Sequence, residues 1–538
     1  MVEILIYNAR IRTMDPACPM AGAVLLRDGL VVALGDAAEL TARAGARRID
    51  AGGRLVLPGF QDAHIHLLNG GTDLVETAQL YDCMTLGELQ TAMADHAAAQ
   101  SGPMIWGAGW QNGFFGDHNL TRAVLDVLVP DRPCLIYDGN FHNACLNSAA
   151  LAMIGIGVDT PDPLNGHIVR DARGVATGML HEEAINWATA QLPQTADEVR
   201  RQGLRAGQAL ANKHGITGAI DPWIVDHHAR IYSENLGDLT LRVAGACLVT
   251  AADTVETMMT RLRSLRAAHG GEDFHLNAAK FFLDGGLENR TAAMLAPYAD
   301  TAGGNAPLMF PQGQIDAMFT ALDAERFQIH VHCIGDAATH AALNGFEAAR
   351  VANGAWPSLH QIAHCQVVDR ADLMRFAALG VMANLQPLWA CNDPVIPDET
   401  MLMIGSARAA QTYAFRSLID AGAPYCINSD WAVTTLNPFE IIGTAVTREP
   451  PRARGVAEPF FPDERLTVAE AVLGYTTHAA AACWRGHYTG ALKPGYSADL
   501  IVLDRDIFSV HPYAIAETRV LMTLFKGREV YRAPYFAN

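Results

Sequence analysis

VLPGFQDAHIHLLNGG, residues 56–71, opens with a short apolar run, places two histidines one residue apart and closes on a pair of glycines. On an extended strand, residues i and i+2 point to the same face, so His64 and His66 can aim their imidazoles at one point. Two such side chains can chelate a divalent metal ion, but they can equally be polar residues on a turn. The rest of the sequence is needed to choose between these two interpretations.

Seven further β-rich runs follow this stretch, separated by Ala- and Leu-rich segments with helical periodicity. Such a repeat of βα units predicts an α/β fold, a (β/α)8 TIM barrel whose active site lies at the carboxyl ends of its strands. The predicted strands cover residues 57–66, 215–221, 241–249, 276–286, 327–336, 360–367, 380–387 and 423–430.

The two ends of the chain and one long gap complete the predicted organisation. Residues 1–56 and 486–538 alternate apolar and polar residues in short bursts, which predicts a small β-sandwich domain built from both termini. Residues 57–485 form the predicted barrel domain. The first and second strands are about 150 residues apart, whereas a βα unit needs about 30. We therefore predict an inserted lid subdomain at about 72–205.

Composition excludes several classes of protein. The 538 residues carry a formal net charge of -18, which repels polyanions and argues against nucleic-acid binding. No apolar run reaches the length of a membrane span, and the N-terminus lacks the pattern of a secretory signal. The ten cysteines are scattered without disulfide-framework spacing. We expect a cytoplasmic protein with no membrane partner.

Lys280 lies inside the apolar predicted strand that contains NAAKFFLDGG. An ammonium group is costly to bury without a partner. One interpretation is a salt bridge to a buried carboxylate, for which Asp284 has the right parity. The other is a neutral amine that reacts with carbon dioxide to form a carbamate, an anionic oxygen donor able to bridge two metal ions.

Three more polar residues end predicted strands: His332, His364 and Asp430. Each histidine alone is more often a hydrogen-bonded core residue, and Asp430 alone could be a helix cap or a turn residue. Together with the paired histidines and the lysine, they fall in order at the ends of strands one, four, five, six and eight. One barrel mouth could therefore collect them all, with Asp430 accepting and then donating a proton.

With these motifs in view, the sequence resembles the amidohydrolase superfamily. More narrowly, it resembles the branch of metal-dependent amidases that includes the N-substituted formamide deformylases and the YtcJ-like proteins. The resemblance covers nearly the whole chain. It rests on the motifs LPGFQDAHIH, KFFLDGGLENRTA, HCIGDAA, AHCQVV, NSDWAVTTLNP and GALKPGYSADLIVLD.

The resemblance implies one or two divalent metal ions, often zinc, and a homodimer as a family-level expectation. His64 and His66, with Asp430, would bind the more buried ion. The second ion would be bound by the remaining members of the set, which are His332, His364 and a carboxylated Lys280 that bridges the two ions.

Two features depart from the family pattern. The family usually has an acidic residue before the alanine and histidine of the sixth strand, whereas this chain has QIAHCQ. His330 also lies two residues before His332, where a small apolar residue is expected. Because His330 lies deeper in the strand, we predict that it packs in the core and does not bind metal.

The leading functional hypothesis is hydrolysis of a non-peptide C–N bond, an amide or formamide of a small molecule, by a metal-activated water. A deaminase or a lactone and ester hydrolase would use the same chemistry on the same barrel. Mononuclear deaminases tend to lack the lysine of strand four, which argues mildly against that alternative. A non-catalytic scaffold should lack some ligands, and none is missing.

Substrate contacts are predicted in the insertion and in the loops after the strands. His142 in DGNFHNA resembles a family position that reaches the substrate, and Arg290 follows the lysine strand closely. Both could instead be structural hydrogen-bonding residues. Aromatic residues suggest a pocket for an apolar or aromatic group, although they could equally pack the insertion itself. They are Trp106, Trp110, Phe114 and Phe115 in the insertion, and Trp389 and Trp431 after strands seven and eight.

Overall fold

The computed structural model describes residues 3–36, 39–40, 45–110, 120–300, 304–392 and 402–536. Phe114 and Phe115 lie outside the described residues. The chain divides into two compact units. The first comprises Met1–Leu67, Gln208–Trp431 and Thr435–Asn538, and the second comprises Leu68–Gly207 and Ala432–Thr434.

The first unit contains a sheet of eight parallel strands that neighbour one another in chain order. Backbone hydrogen bonds also join its two ends, from the nitrogen of Ala63 to the oxygen of Ile427 (3.3 Å) and from Asp430 to His64 (2.9 Å). The sheet therefore curves into a nearly closed barrel, which confirms the predicted α/β class and the eight-stranded parallel barrel. Its strands are β1 (Phe60–Asp62), β2 (Ile216–Ile224), β3 (Arg242–Leu248), β4 (Phe274–Phe282), β5 (Gln328–Cys333), β6 (Gln361–His364), β7 (Met382–Leu385) and β8 (Tyr425–Ile427).

The first predicted strand, 57–66, is wrong in its extent. A strand of the terminal sheet, Arg47–Pro58, ends where the prediction begins, and β1 has only three residues. Gly59 lies between the two strands. A Cβ atom at this position would lie 2.3 Å from Oγ1 of Thr217, so only glycine fits there without displacing its neighbours. His64 and His66 consequently follow the barrel strand and do not belong to it.

Helices alternate with the barrel strands and cover the outside of the barrel with their apolar faces. Thr254 and Thr467 begin two of them with capping boxes, in which side chains satisfy backbone N–H groups of the first turn. In the described parts of the chain, no helix is long and apolar enough to cross a membrane. The α-helices after the second barrel strand are Asp226–Glu234, Val255–Ala268, Gln312–Ala324, Asp336–Asn353, Leu373–Leu379, Ser406–Ala409, Phe415–Asp420, Pro438–Thr447, Val468–Tyr475 and Thr477–Ala482, and the 3-10 helices are Leu236–Asp238, Pro387–Trp389, Pro451–Ala453, Pro462–Glu464 and Pro512–Glu517.

A second sheet of the first unit combines strands from both ends of the chain. Alternate residues of its first strand enter different apolar clusters, Ile4 and Ile6 in one and Leu5 in the other, so both faces of the sheet are buried there. All eight strands belong to one hydrogen-bonded sheet: Glu3–Arg12, Met20–Ala21, Ala23–Arg27, Leu30–Gly35, Arg47–Pro58, Leu500–Leu503, Val520–Phe525 and Arg528–Arg532.

The second unit contains the residues of the predicted insertion and has a core of its own, built on a six-stranded mixed sheet. Its strands are Thr77–Gln79, Ile105–Trp110, Cys134–Asp138, Asn143–Leu146, Gly166–Arg170 and Ala176–Glu182. Its helices are Leu86–Ala99, Arg122–Leu128, Ser148–Met153 and Glu183–Thr189, while Leu67–Glu76 and Asp197–Lys213 run across its two limits. The lid role predicted for this segment stays a prediction.

Candidate metal centre

The two histidines of the opening stretch lie in an irregular segment that begins at the end of β1. Hydrogen bonds to β2 and to the loop after β8 fix this segment: the nitrogen of Ile65 donates to the oxygen of Ile220 (2.9 Å), and that of His66 donates to the oxygen of Trp431 (2.6 Å). The convergence of His64 and His66 therefore comes from this backbone path. The alternation of an extended strand, which motivated the prediction, is not its cause.

Asp430, at the end of the eighth strand, completes this side of the centre. Its Oδ1 lies 3.3 Å from Nε2 of His64 and 3.3 Å from Nε2 of His66. Its Oδ2 accepts a hydrogen bond from Nε2 of Gln386 (2.9 Å). Burial acts to raise the pKa of Asp430, but the neighbouring His66, His364 and Gln386 outweigh burial and lower it. Asp430 is therefore an ionised carboxylate at neutral pH.

His364 brings a third donor from β6. One ligand atom from each of His64, His364 and Asp430 can be chosen so that all three lie within 4.8 Å of one another, and all three residues are buried. His364 and Asp430 have left-handed backbones, with φ of 75° and 54°. Such conformations cost non-glycine residues about 1–3 kcal/mol each and tend to occur at functional sites.

His332 borders the same cluster. Its ring centroid lies 4.4 Å from that of His364 and 4.8 Å from that of Phe282. Its Nε2 lies 3.5 Å from the carbonyl oxygen of Gly285 and 3.8 Å from Oδ1 of Asp284. The predicted second-metal histidines are therefore neighbours.

Lys280 is fully buried on β4, and its Nζ makes no hydrogen bond within the described residues. Burial lowers the pKa of Lys280 to about 7. Its Nζ lies 4.4 Å above the ring of Phe282. The alternative prediction, a salt bridge to Asp284, is wrong because Nζ of Lys280 has no polar partner among the described residues. The carboxylate of Asp284 instead accepts the backbone N–H groups of Ala293, Ile334 and Gly335.

His330 is fully buried, as predicted, but it also makes a specific contact. Its Nε2 lies 2.9 Å from Nδ1 of His64, on the opposite side of that ring from Asp430. Burial, together with the charge of Lys280, lowers the pKa of both histidines well below the ordinary value. Both rings are therefore neutral at neutral pH, which is the form in which histidine binds metal.

Sequence reasoning missed three residues around the centre. Gln386 contacts two predicted ligands, Trp223 packs on His66 with a centroid distance of 6.2 Å, and Phe282 contacts His332. A glutamine before a proline and two aromatic residues in apolar strands carry no signal that distinguishes them from core residues. Only the closure of the barrel places them beside the histidines.

The predicted substrate-binding residues lie in both units. Trp431 and Arg290 belong to the first, where Trp431 is buried next to Asp430 and Arg290 pairs with Asp300. Trp110 and His142 belong to the second, where Trp110 is buried in the core and Nδ1 of His142 lies 2.8 Å from Oε2 of Glu182.

The residues of the centre fit a divalent metal ion. Imidazole nitrogens and a carboxylate are the donors that zinc and similar ions prefer. Oδ1 of Asp430 is buried without a well-aligned hydrogen-bond donor, and Nζ of Lys280 is buried without a partner, among the residues described. Buried polar atoms are normally satisfied, and a cation bound beside Asp430 would give its Oδ1 the partner that it lacks.

Comparisons with known proteins show which family the chain resembles. A model of the amidohydrolase family matches residues 47–531. The putative amidohydrolase YtcJ of Bacillus subtilis is 28% identical, covering 95% of this chain and 96% of that protein. The N-substituted formamide deformylase of Arthrobacter pascens is also 28% identical and covers 98% of both chains.

Among solved structures, an uncharacterized metal-dependent hydrolase from Pyrococcus horikoshii superposes with a TM-score of 0.76 at 23% identity. The superposition covers 95% of this chain and 99% of that one, so the two chains share a fold. The resemblance stated from the sequence is confirmed. Since the family model matches nearly the whole sequence, the chain belongs to the amidohydrolase family and is a hydrolase of that type.

Proposed function

We propose that the protein is a metal-dependent hydrolase that cleaves a non-peptide C–N bond in an amide or formamide of a small organic molecule. The observation that carries this proposal is the buried cluster of His64, His364 and Asp430, whose donor atoms lie within 4.8 Å of one another. The N-substituted formamide deformylase, similar over 98% of both chains, supports the choice of bond.

In this proposal His64, His66 and Asp430 would hold one ion. We propose zinc, because imidazole nitrogens and carboxylate oxygens are among its usual ligands. His332, His364 and a carbamate on Lys280 hold a second. When bound, such an ion lowers the pKa of a water molecule and polarises a carbonyl oxygen.

Lys280 is suited to carbamate formation because its environment favours the uncharged amine. Burial lowers the pKa of Lys280 to about 7, so roughly half of the chains carry a neutral amine at that pH. The amine nitrogen adds to the carbon of carbon dioxide and loses one proton. The resulting anion would supply the negative charge that a second cation needs.

Asp430 is the proton carrier in this proposal. Its Oδ1 faces His64 and His66, while its Oδ2 accepts one hydrogen bond among the described residues, from Gln386. A carboxylate oxygen has two lone pairs, so Oδ2 can take a proton from the attacking water and pass it to the departing nitrogen. Its low pKa keeps the carboxylate ionised and ready to accept that proton.

For the substrate we propose contacts from Trp431 and Arg290 in the barrel unit, and from Trp110 and His142 in the second unit. Trp431 is supported by its place directly after Asp430. Arg290 has a left-handed backbone (φ 55°) in the loop after β4, a conformation that often marks functional loops.

Elemental analysis of the purified full-length protein, followed by a substrate screen of the same preparation, tests the proposal. The screen should include formamides, acyl anilides, N-acyl amino acids, lactones and amino-heterocycles. We expect stoichiometric divalent metal and turnover of an amide or formamide. Ammonia release from a heterocycle would favour a deaminase, and lactone opening alone would favour a lactonase. A fully active preparation without metal would refute the proposal.

A further inference from the structure

Gln386 lies directly after β7, between the ends of β6 and β8, and is 1% exposed. Its side-chain amide contacts two residues of the metal centre at once. Oε1 is hydrogen-bonded to Nδ1 of His364, and Nε2 donates to Oδ2 of Asp430 at 2.9 Å. A single amide therefore bridges a predicted metal ligand and the predicted proton carrier.

The chemistry of the three groups fixes the direction of both hydrogen bonds. An ionised carboxylate only accepts, so the NH2 group of Gln386 must face Asp430 and the carbonyl oxygen must face His364. A carbonyl oxygen also only accepts, so Nδ1 of His364 must carry the proton. In a neutral imidazole protonated on Nδ1, the lone pair lies on Nε2, the other ring nitrogen.

We propose that Gln386 is a positioning residue that holds His364 in the tautomer able to bind metal through Nε2 and holds the carboxylate of Asp430 in place. This inference rests on the proposed metal function. The partner of a ligand histidine typically changes metal affinity about 10- to 100-fold when it is removed.

The contact between His64 and His330 differs from that between His364 and Gln386 in how strongly it fixes the histidine tautomer. Nδ1 of His64 faces Nε2 of His330, and either nitrogen could donate in that hydrogen bond. The imidazole of His330 therefore permits both tautomers of His64. The amide of Gln386, oriented by Asp430, permits only one tautomer of His364.

The first test compares zinc affinity in the full-length protein, measured by competition with a chelator, for wild type, Gln386→Leu and Gln328→Leu. Gln328 is a matched control because its amide is also buried and hydrogen-bonded at both ends. Its Nε2 donates to the carbonyl oxygens of Leu359 and Ala482, and its Oε1 accepts from Nε2 of Gln361. We expect affinity to fall about 10- to 100-fold in Gln386→Leu and to change less than about threefold in Gln328→Leu. Equal affinity in both variants would overturn the proposal.

The second test reads the tautomer of His364 directly in metal-free protein labelled with 15N-histidine. The signal is assigned by its loss in His364→Ala. We expect Nδ1-protonated imidazole in wild type and in Gln386→Glu, because glutamate keeps an acceptor oxygen, and a mixture of tautomers in Gln386→Leu. An unchanged signal in Gln386→Leu would contradict the proposal. If wild type bound no metal, the proposed function would fail, while this spectrum would still decide the tautomer assignment.

Discussion

Two clusters of buried histidine and aspartate lie at opposite ends of the same barrel. At the amino end, Nε2 of His360 lies 3.0 Å from Oδ1 of Asp323, and its Nδ1 accepts the backbone N–H of Ile329. Asp323 also accepts hydrogen bonds from Trp356 and Asn353. Each of the two ring nitrogens and both carboxylate oxygens therefore has a partner.

At the carboxyl end, the same residue types are arranged differently. Asp430 turns Oδ1 toward two imidazole Nε2 atoms at 3.3 Å, and Lys280 is buried nearby without a hydrogen bond in the described structure. His364 and Asp430 also have left-handed backbones. Since both clusters are buried, burial alone does not distinguish a structural cluster from a candidate metal site. The separation comes from whether the protein itself satisfies the buried polar atoms.

The largest expected effect is on catalysis. Replacing Asp430 by Asn should lower kcat about 10²- to 10⁴-fold, because the amide cannot accept the proton of the attacking water. The measurement is steady-state turnover of the best substrate from the screen, with circular dichroism to verify folding. Asp323→Asn is the matched control at the other end of the barrel. Equal loss of activity in both variants would mean that Asp430 has no special role in catalysis.

The second effect concerns stability. Asp323→Ala should lower the free energy of unfolding by about 3 kcal/mol or more, because it leaves the buried donors of His360, Trp356 and Asn353 without their acceptor. Chemical denaturation of the metal-free protein measures this value. If Asp430→Ala proved equally destabilising without metal, the carboxyl-end cluster would be a structural one.

The third effect has a distinctive pH dependence. Burial lowers the pKa of Lys280 from 10.5 to about 7, so between those values the unfolded chain binds more protons than the folded one. Stability of the metal-free protein should rise with pH there, by up to about 1.4 kcal/mol per pH unit. Lys280→Met should remove this rise and be more stable than wild type near pH 8. Denaturation in carbon dioxide-free buffer measures it.

The exposed residue Lys493 supplies the control for that comparison. Lys493→Met makes the same substitution at an exposed lysine, so its unfolding over the same pH range controls for the lysine-to-methionine change itself. A slope that persists in Lys280→Met would mean that some other group causes it.

The smallest effect is expected outside both clusters. Arg290→Ala removes a partly exposed ion pair with Asp300 and should lower the free energy of unfolding by less than about 1 kcal/mol. Losing the proposed contact of Arg290 with the substrate should raise KM without changing kcat. Michaelis constants that match wild type would count against Arg290 as a binding residue.

The sequence predicted the barrel well because apolar β runs and helical segments alternate regularly along the chain. The predicted run 241–249, for example, contains all of the strand Arg242–Leu248. The first strand was wrong in extent because two strands from different sheets, Arg47–Pro58 and Phe60–Asp62, follow each other with one glycine between them. An uninterrupted apolar run does not reveal that change of sheet.

The clustering of His64, His364 and Asp430 was predicted, but the residues that surround them were not. His64, His364 and Asp430 stood out because charged or titratable residues at strand ends are unusual in apolar surroundings. Gln386 and the contact of His330 with His64 could not be predicted. They depend on which side chains face each other across neighbouring strand ends, and the pattern of one strand does not contain that information.

We propose that the carboxyl-end cluster binds a divalent metal ion and that the amino-end cluster does not. The most direct test is the number of zinc ions bound per chain at equilibrium, measured for wild type, His64→Ala and His360→Ala, each shown to be folded. We predict at least one ion in wild type and in His360→Ala, and a clear loss in His64→Ala. Wild-type protein without bound metal, or a His64→Ala variant that binds as much as wild type, would contradict the account.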